Sequence, residues 1–226
     1  MHPYTAGILY AVLALSAVSD GSLQLAPPSQ AEVLCRQAPA VNPEALRMAL
    51  EALENAEAAG TAVRTDVLAL IDYSRPSTEP RLWVFDLENN LLLFEELVAH
   101  GKNSGGDTPV RFSNRPGSLM SSLGVFVTAN TYYGKHGYSL RLKGLEEGVN
   151  DNSMERAIVM HAASYVDPEV ARRLGRLGRS WGCPAVRPEI SRQLIDAVKD
   201  GALLFAYYPD DRWLSTSRFL IAASGD

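Results

Sequence analysis

Short apolar runs, separated by segments rich in Gly, Pro, Asn and Asp, dominate the chain from residue 66 to residue 209. Runs of this kind are typical of buried β-strands. The pattern predicts seven strands, at residues 67–73, 81–86, 91–98, 122–128, 138–142, 155–160 and 202–208. Glu88-Asn89-Asn90, between the second and third runs, predicts a hairpin turn.

Apolar residues at helical spacing predict helices around these strands. Asn42 is suited to cap a helix that begins at Pro43, and an apolar stripe follows it, so we expect a helix within residues 42–65. Asp167 and Pro168 begin a second, short helix, and residues 188–199 form a third. The fold class that this pattern predicts is mostly β with peripheral helices.

Two segments have no clear period. Residues 20–41 contain several prolines and predict a linker, and residues 100–118 predict a long loop. The division that follows is a linker at 20–41, an N-terminal helix at 42–65 and one domain at 66–226.

The N-terminus is apolar from residue 6 to residue 18. This run is too short to span a bilayer but suits the core of a signal peptide. Ala17-Val18-Ser19 offers small residues for cleavage, which predicts a signal peptide at residues 1–19 and export to the periplasm or cell envelope. No Lys or Arg precedes the run, so an uncleaved anchor is the alternative.

Composition narrows the function. The chain has 226 residues, of which 46% are hydrophobic, enough for a substantial core. A net charge of −5 argues against nucleic acid as a partner. Two cysteines make no disulfide framework, and neither metal-ligand spacing nor a phosphate-binding glycine loop occurs, so no metal or cofactor is expected.

Cys183 is the residue with the clearest candidate chemistry. It follows Gly182 and precedes Pro184, and His161 ends an apolar run upstream. A cysteine with a histidine as base suggests nucleophilic acyl transfer, because the thiolate is the nucleophile. A buried structural cysteine and a core histidine are the alternative interpretation.

Longer strings around these residues resemble a known family. Ser180-Trp181-Gly182-Cys183 matches the Ser-x-Gly-Cys signature of the YkuD-type L,D-transpeptidases, and His161 stands where that family places its catalytic histidine. The strings at residues 175–186 and 131–137 are similar to the murein L,D-transpeptidase catalytic domain branch. The resemblance covers roughly residues 66–209 and implies a YkuD-like β-sandwich.

The resemblance implies roles for these residues. Cys183 would form a thioester with the donor peptide, and His161 would move the protons. The amides of Gly182 and Cys183 are candidates for an oxyanion hole, and Ser180 would bond the turn or orient the imidazole. The chain departs from the family at Trp181, where many relatives have histidine, and after His161, where they often have glycine and this chain has alanine.

Six arginines lie between residues 172 and 192, with one acid among them. We expect this stretch to lower the pKa of Cys183 and to attract substrate carboxylates, through Arg179 and Arg176 above all. Beside Trp181, the residues that could line the cleft and contact a sugar-peptide strand are Tyr132, Tyr133, His136 and Tyr165.

The sequence therefore predicts a peptidoglycan L,D-transpeptidase that cross-links stem peptides through a cysteine thioester. The expected partners are peptidoglycan stem peptides and, by resemblance, carbapenem-type inhibitors. Transfer of the same thioester to water would make the protein a murein L,D-carboxypeptidase or another murein peptidase. A non-catalytic wall-binding module is the second alternative.

Overall fold

The computed structural model describes residues 27–221. The predicted signal peptide lies outside this range. Among the described residues, none of the helices has both the length and the apolar character needed to cross a membrane.

Eight strands join edge to edge in a single hydrogen-bonded sheet, in the order β3-β2-β1-β8-β4-β5-β6-β7. The strands are β1 (Arg64–Asp72), β2 (Leu82–Asp86), β3 (Leu91–Glu96), β4 (Gly124–Gly134), β5 (Gly137–Gly144), β6 (Val159–Ala162), β7 (Ala185–Val186) and β8 (Ala202–Tyr207). Neighbouring strands are antiparallel except for two pairs, β1 with β8 and β6 with β7. The mostly-β class with peripheral helices is confirmed, and the strands expected in a sandwich belong to one continuous sheet.

Five helices accompany the sheet: α1 (Gln30–Gln37), α2 (Pro43–Ala58), α3 (Pro168–Leu174), α4 (Pro188–Val198) and α5 (Asp211–Leu214). The side chain of Asn42 caps α2 by accepting hydrogen bonds from the amides of Glu44 and Ala45, as the sequence predicts. The apolar face of α2 packs on β1 and β8, and buried side chains such as Leu46 and Leu53 join the main core there. Burial of this face anchors the helical layer to the centre of the sheet.

The prediction of a linker at residues 20–41 is wrong where helix α1 forms. Ser29 accepts a hydrogen bond from the Glu32 amide, and the Glu32 carboxylate accepts one from the Ser29 amide, so a capping box starts the helix. Leu34 is fully buried, and the Gln37 side chain accepts a hydrogen bond from the Leu92 amide on β3. These tertiary contacts stabilise a helix too short to be stable alone.

Strand β6 is shorter than predicted. Residues 155–158 do not belong to it, because a 3₁₀ turn at Asp151–Ser153 leads into a bend where Ala157 has a φ of 51°. His161 therefore lies inside the strand and not beyond its end. Ala162 keeps the extended backbone of β6, so the alanine that stands in place of the family's glycine imposes no left-handed strain.

Candidate active site

The parallel pairing of β6 with β7 brings the two predicted catalytic residues together. His161 pairs with Ala185, and Cys183 lies two residues before Ala185 in the turn that leads into β7. Both side chains line a cleft of about 320 Å³. The remaining residues that line this cleft are Tyr132, Lys135, His136, Arg156, Ala157, Val159, Tyr165, Arg179, Ser180 and Trp181.

Ser180 holds the turn that carries Cys183. Its hydroxyl donates to the Cys183 carbonyl at 2.6 Å and accepts from the Gly182 amide at 3.0 Å. From the other side, the Ser121 hydroxyl donates to the Gly182 carbonyl at 3.2 Å. Ser180 therefore bonds the turn, one of its two predicted roles. The Gly182 amide is already engaged, which leaves the Cys183 amide as the candidate oxyanion donor.

Gly182 is required by both conformation and space. Its φ is +127°, and a Cβ placed there would lie 2.8 Å from the Met120 carbonyl oxygen. A side chain at this position would strain the backbone and push the turn away from the backbone at Met120. The position of the Cys183 backbone thus depends on the absence of one methyl group.

We expect Gly182→Ala to lower the free energy of unfolding by about 1–3 kcal/mol and to impair the chemistry of Cys183 as well. Gly201→Ala is the matched control, since Gly201 also has a strongly positive φ, of +109°, but the atom nearest to its missing Cβ is 3.5 Å away. Urea unfolding of the two variants separates the cost of φ from the cost of the close approach. Equal stability losses in both would contradict a steric role for Gly182.

The protonation of His161 suits a general base. Its Nδ1 lies 2.8 Å from its neighbour's carbonyl oxygen, the Ala162 oxygen, so Nδ1 carries the proton and Nε2 presents a lone pair. The pKa of His161 is lowered, chiefly by burial and further by the nearby His136 and Lys135. The imidazole is therefore neutral at pH 7.

His136 stacks on this base. The two imidazole rings have centroids 4.3 Å apart and planes inclined by 25°. His136 itself lies on the exposed tip of the β4–β5 hairpin, and it is among the residues that line the cleft. The second histidine of the site thus comes from the hairpin, while Trp181 occupies the position where many relatives have histidine.

The thiol of Cys183 is half-buried and protonated in its resting state. Burial raises its pKa, and the Val159 amide, Arg156 and Lys135 lower it only in part. The expected lowering by the arginine-rich stretch is wrong in direction, because desolvation of the thiolate outweighs the nearby charges. The Sγ atom donates to the Ala157 carbonyl 3.7 Å away, so the thiol must turn from this carbonyl before His161 can take its proton.

The arginine-rich stretch is dispersed in space. Arg187 pairs with Glu96 at 2.7 Å, Arg192 donates to the Tyr133 hydroxyl at 2.5 Å, and Arg172 pairs with a glutamate on its own helix. None of these arginines lines the cleft. Each of them bonds to a partner other than Cys183.

Of the two arginines predicted to bind substrate, only Arg179 reaches the cleft. Its Nη1 donates to the carbonyls of Lys102 and Gly105, at 3.1 and 2.7 Å. The Arg176 side chain instead donates to the Leu177 carbonyl and lies outside the residues that line the cleft. Arg176 is therefore not placed to contact a substrate in the cleft.

Most of the aromatic residues predicted to contact substrate line the cleft, but Tyr133 does not. Trp181 is 66% exposed at the cleft, with the ammonium groups of Lys102 and Lys135 lying 5.8 and 5.2 Å from its ring centroid. Tyr165 lines the cleft, and burial, with a smaller contribution from Cys183, raises its pKa to about 12. Tyr133 is 71% exposed, lies outside the cleft lining and bonds to Arg192, so its predicted substrate contact is not supported by its position.

Two cations of the cleft were missed from the sequence. Lys135 lies at the tip of the β4–β5 hairpin, and Arg156 lies in the bend before β6. The glycines around Lys135 do signal a turn, and Arg156 stands close before the strand of the catalytic histidine, so proximity to these elements was the available clue. Within residues 27–221, no group of three or more His, Cys, Asp or Glu side chains could hold a metal ion.

Comparison with known proteins agrees with the sequence pattern. The family model described as the L,D-transpeptidase catalytic domain (YkuD_2) matches residues 37–207. No curated protein matches the chain.

Solved structures with a similar fold include an L,D-transpeptidase from Mycobacterium smegmatis, at 14% identity and a TM-score of 0.39 over 63% of this chain and 59% of that one. Another is L,D-transpeptidase 3 from Mycobacterium tuberculosis in complex with a faropenem-derived adduct, at 14% identity and a TM-score of 0.37 over 63% and 60%. A third is the helical cell shape determining protein Pgp2 from Campylobacter jejuni, at 12% identity and a TM-score of 0.42 over 65% and 49%. The chain thus spans about half to three-fifths of the length of these structures.

Proposed function

The chain belongs to the L,D-transpeptidase catalytic domain family, and from this we propose that it forms peptide cross-links in peptidoglycan through a thioester on Cys183. The observation that carries the proposal is the shared cleft of Cys183 and His161, where a thiol held on a rigid turn meets a neutral imidazole with a free Nε2 lone pair. A nucleophile and a base in one cleft are the minimum set for acyl transfer.

The reaction begins when Nε2 of His161 takes the proton of the Cys183 thiol. The thiolate attacks the carbonyl carbon at the L-centre of a tetrapeptide stem, and the Cys183 amide is placed to stabilise the oxyanion. The C–N bond to D-alanine breaks as the imidazolium returns its proton to the leaving amine. A thioester remains on Cys183, and D-alanine is released.

The second half of the reaction uses the same groups. An amine from a neighbouring stem enters the cleft, and His161 removes a proton from it as it attacks the thioester carbonyl. The C–S bond breaks, the new amide forms the cross-link, and the thiolate recovers its proton. Water in place of the amine gives a trimmed stem instead, which is the carboxypeptidase outcome.

The charges of the cleft suit an acidic donor. The chain has a net charge of −5, yet the charged side chains that line the cleft are all basic: Lys135, Arg156 and Arg179. A cationic cleft on an acidic protein attracts the free carboxylate of the terminal D-alanine. We also propose that the protein acts in the cell envelope, because peptidoglycan lies there and residues 1–19 predict export.

Purified sacculi test this function directly. The protein is incubated with sacculi that carry tetrapeptide stems, and the released muropeptides are analysed by mass spectrometry. New dimers, in which the L-centre carbonyl of one stem is joined to an amine of another, support transfer, and tripeptide stems without dimers support hydrolysis. An unchanged muropeptide profile with a folded, reduced protein contradicts both enzymatic readings and favours a wall-binding module.

A carbapenem should acylate Cys183 and not Cys35. A thiolate that attacks a peptide carbonyl can also open a strained β-lactam ring, and the cations of the cleft attract the ring carboxylate. Cys35 lies on α1, and no histidine is among the described residues that line its groove. We expect intact-mass spectrometry to show one adduct per chain and peptide mapping to place it on Cys183. An adduct on Cys35 would overturn the site assignment.

A further inference from the structure

Arg156 lines the cleft and forms no ion pair with a carboxylate of the described residues, as is also true of Arg179 in the cleft and of the buried Arg81 outside it. Its side chain is half-buried in the bend between the 3₁₀ turn and β6, and its guanidinium points into the site. Nη1 donates to the Ser113 carbonyl at 2.6 Å and to the Ser122 hydroxyl. Nη2 donates to the Met120 carbonyl at 2.6 Å and to the Ser118 hydroxyl at 3.3 Å.

All four of these partners are neutral oxygens. Among residues 27–221, the arginines that form ion pairs with carboxylates are Arg47, Arg64, Arg75, Arg172 and Arg187. Arg156 is not one of them. A guanidinium that is partly removed from water and has no carboxylate partner is costly to maintain, and burial indeed lowers the pKa of Arg156. Its charge is therefore uncompensated until an anion forms nearby.

The anion that can form nearby is the Cys183 thiolate. Nη2 of Arg156 lies 3.3 Å from the position that a Cβ on Gly182 would take, one residue before the nucleophile. Both Arg156 and Cys183 line the same cleft. The next residue, Ala157, supplies the carbonyl to which the Cys183 thiol donates. The bend at 156–157 thus presents one group that favours the thiol and one that favours the thiolate.

We propose that the guanidinium of Arg156 stabilises the Cys183 thiolate when His161 removes the thiol proton. In this step the S–H bond breaks, an N–H bond forms at Nε2, and the negative charge on sulfur faces both the imidazolium and the guanidinium. The thiol also loses its hydrogen bond to the Ala157 carbonyl, and the attraction between the thiolate and Arg156 offsets this loss. Arg156 acts here as a positioning and electrostatic residue, and the inference rests on the proposed role of Cys183 as nucleophile.

Other titratable or charged groups also face Cys183 from the elements packed around it: His161 on β6, Lys135 and His136 on the hairpin tip, Tyr165 after β6, Arg179 before the turn, and Tyr73 after β1. Among the cations, Arg156 and Lys135 are the two whose charge lowers the pKa of Cys183. Lys135 is exposed, so salt screens its effect, whereas the half-buried Arg156 is screened less.

A purely structural role for Arg156 predicts the opposite sign. Its four hydrogen bonds brace the loop at residues 113–122 against the site, so removal of the side chain would loosen this loop and admit water. Because burial is the main cause that raises the pKa of Cys183, added water would lower that pKa. If the role is electrostatic, removal of Arg156 raises the pKa of Cys183 instead. The direction of the pKa change therefore distinguishes the two roles.

The test is the pH dependence of iodoacetamide alkylation at Cys183 in the full chain, followed by peptide mapping, with Cys35 in the same sample as an internal reference. We expect Arg156→Gln to raise the midpoint pH of Cys183 alkylation by about one unit, the lower end of the effect of an adjacent opposite charge. Below the midpoint, the alkylation rate falls about tenfold. Arg156→Lys keeps the charge and should keep the midpoint near that of the wild type.

Two further variants complete the design. Arg218→Gln removes an exposed arginine that donates to the Leu145 carbonyl, and it should leave the Cys183 midpoint unchanged. Lys135→Gln should shift the midpoint at low salt but not at 1 M salt, while the Arg156→Gln shift persists. An unchanged or lowered midpoint in Arg156→Gln overturns the proposal.

If Arg156→Gln does not fold, Arg156→Lys decides alone. A lysine cannot make all four hydrogen bonds of the Arg156 guanidinium. A purely structural role therefore predicts a lowered midpoint pH in this variant, and that result overturns the proposal. The alkylation assay uses no substrate, which keeps the outcome independent of sacculus activity. A raised midpoint with inert sacculi would support Arg156 and contradict the proposed transpeptidase function.

Discussion

Cys183→Ala should abolish both cross-linking of sacculi and carbapenem adduct formation, while the fold remains intact. The Sγ atom is the proposed covalent attachment point, and no other atom of the cleft replaces it. The thiol donates only a long, 3.7 Å hydrogen bond to a carbonyl, so its removal should change the free energy of unfolding by about 1 kcal/mol or less. Muropeptide profiles and urea unfolding of the same preparation measure the two effects.

Cys35→Ala is the matched control for this prediction. Cys35 is also half-buried, and burial raises the pKa of its thiol as well, but it lies on α1 and lines a groove between α1 and α2. The variant should retain the full sacculus activity of the wild type. If a folded Cys183→Ala protein still made dimers, the assignment of the nucleophile would fail, whatever the behaviour of Cys35→Ala.

Seven of the eight strands were predictable from local apolar runs, whereas the two-residue strand β7 was not predicted. The apolar runs at residues 67–73 and 202–208 became β1 and β8, the parallel pair at the centre, and the Glu88-Asn89-Asn90 turn joins β2 and β3 as expected. Asn90 takes a φ of 53°, a conformation that asparagine tolerates better than most residues. Strand existence follows from short-range pattern, whereas the pairing order of the sheet depends on long-range contacts that no local pattern contains.

The electrostatics of the site were not predictable in the same way. Six arginines clustered in sequence suggested a basic patch, but three of them lie on α3 and α4 outside the cleft lining, and Glu96 on β3 neutralises Arg187. The cations whose charge reaches the thiol come from a bend and a hairpin tip, at Arg156 and Lys135. Sequence proximity is a poor guide to charge proximity, because the potential at Cys183 depends on burial and on three-dimensional distance.

For His161, one part of its role was predictable from the sequence and another part was not. Its identity as the base was predicted from the family resemblance, and its tautomer follows from the Ala162 carbonyl within its own strand. Its contact with His136 could not be predicted from the local sequence, because the stack requires the β4–β5 hairpin to pack beside β6. A low pKa for the base is therefore a property of the assembled site and not of the motif.

His161→Gln should lower kcat/KM for cross-linking by a hundredfold or more, the usual scale for a positioned acid–base group. Glutamine keeps much of the shape but cannot accept and return the protons of the thiol and the two amines. In the wild type, the base must be neutral, so activity falls as the pH drops through the pKa of His161. Burial, His136 and Lys135 lower that pKa, which places this acid limb below the ordinary histidine value of about 6.5.

The pH profile separates a base from a residue that only shapes the cleft. In His161→Gln, the acid limb of kcat/KM should disappear together with most of the rate. In His136→Gln, a group that lowers the pKa of His161 is removed, so the limb should remain and move to higher pH. Assays of muropeptide dimer formation between pH 4.5 and pH 8 on the two variants measure both effects. A His161→Gln enzyme that retained the wild-type acid limb would assign that titration, and the role of base, to another group of the cleft.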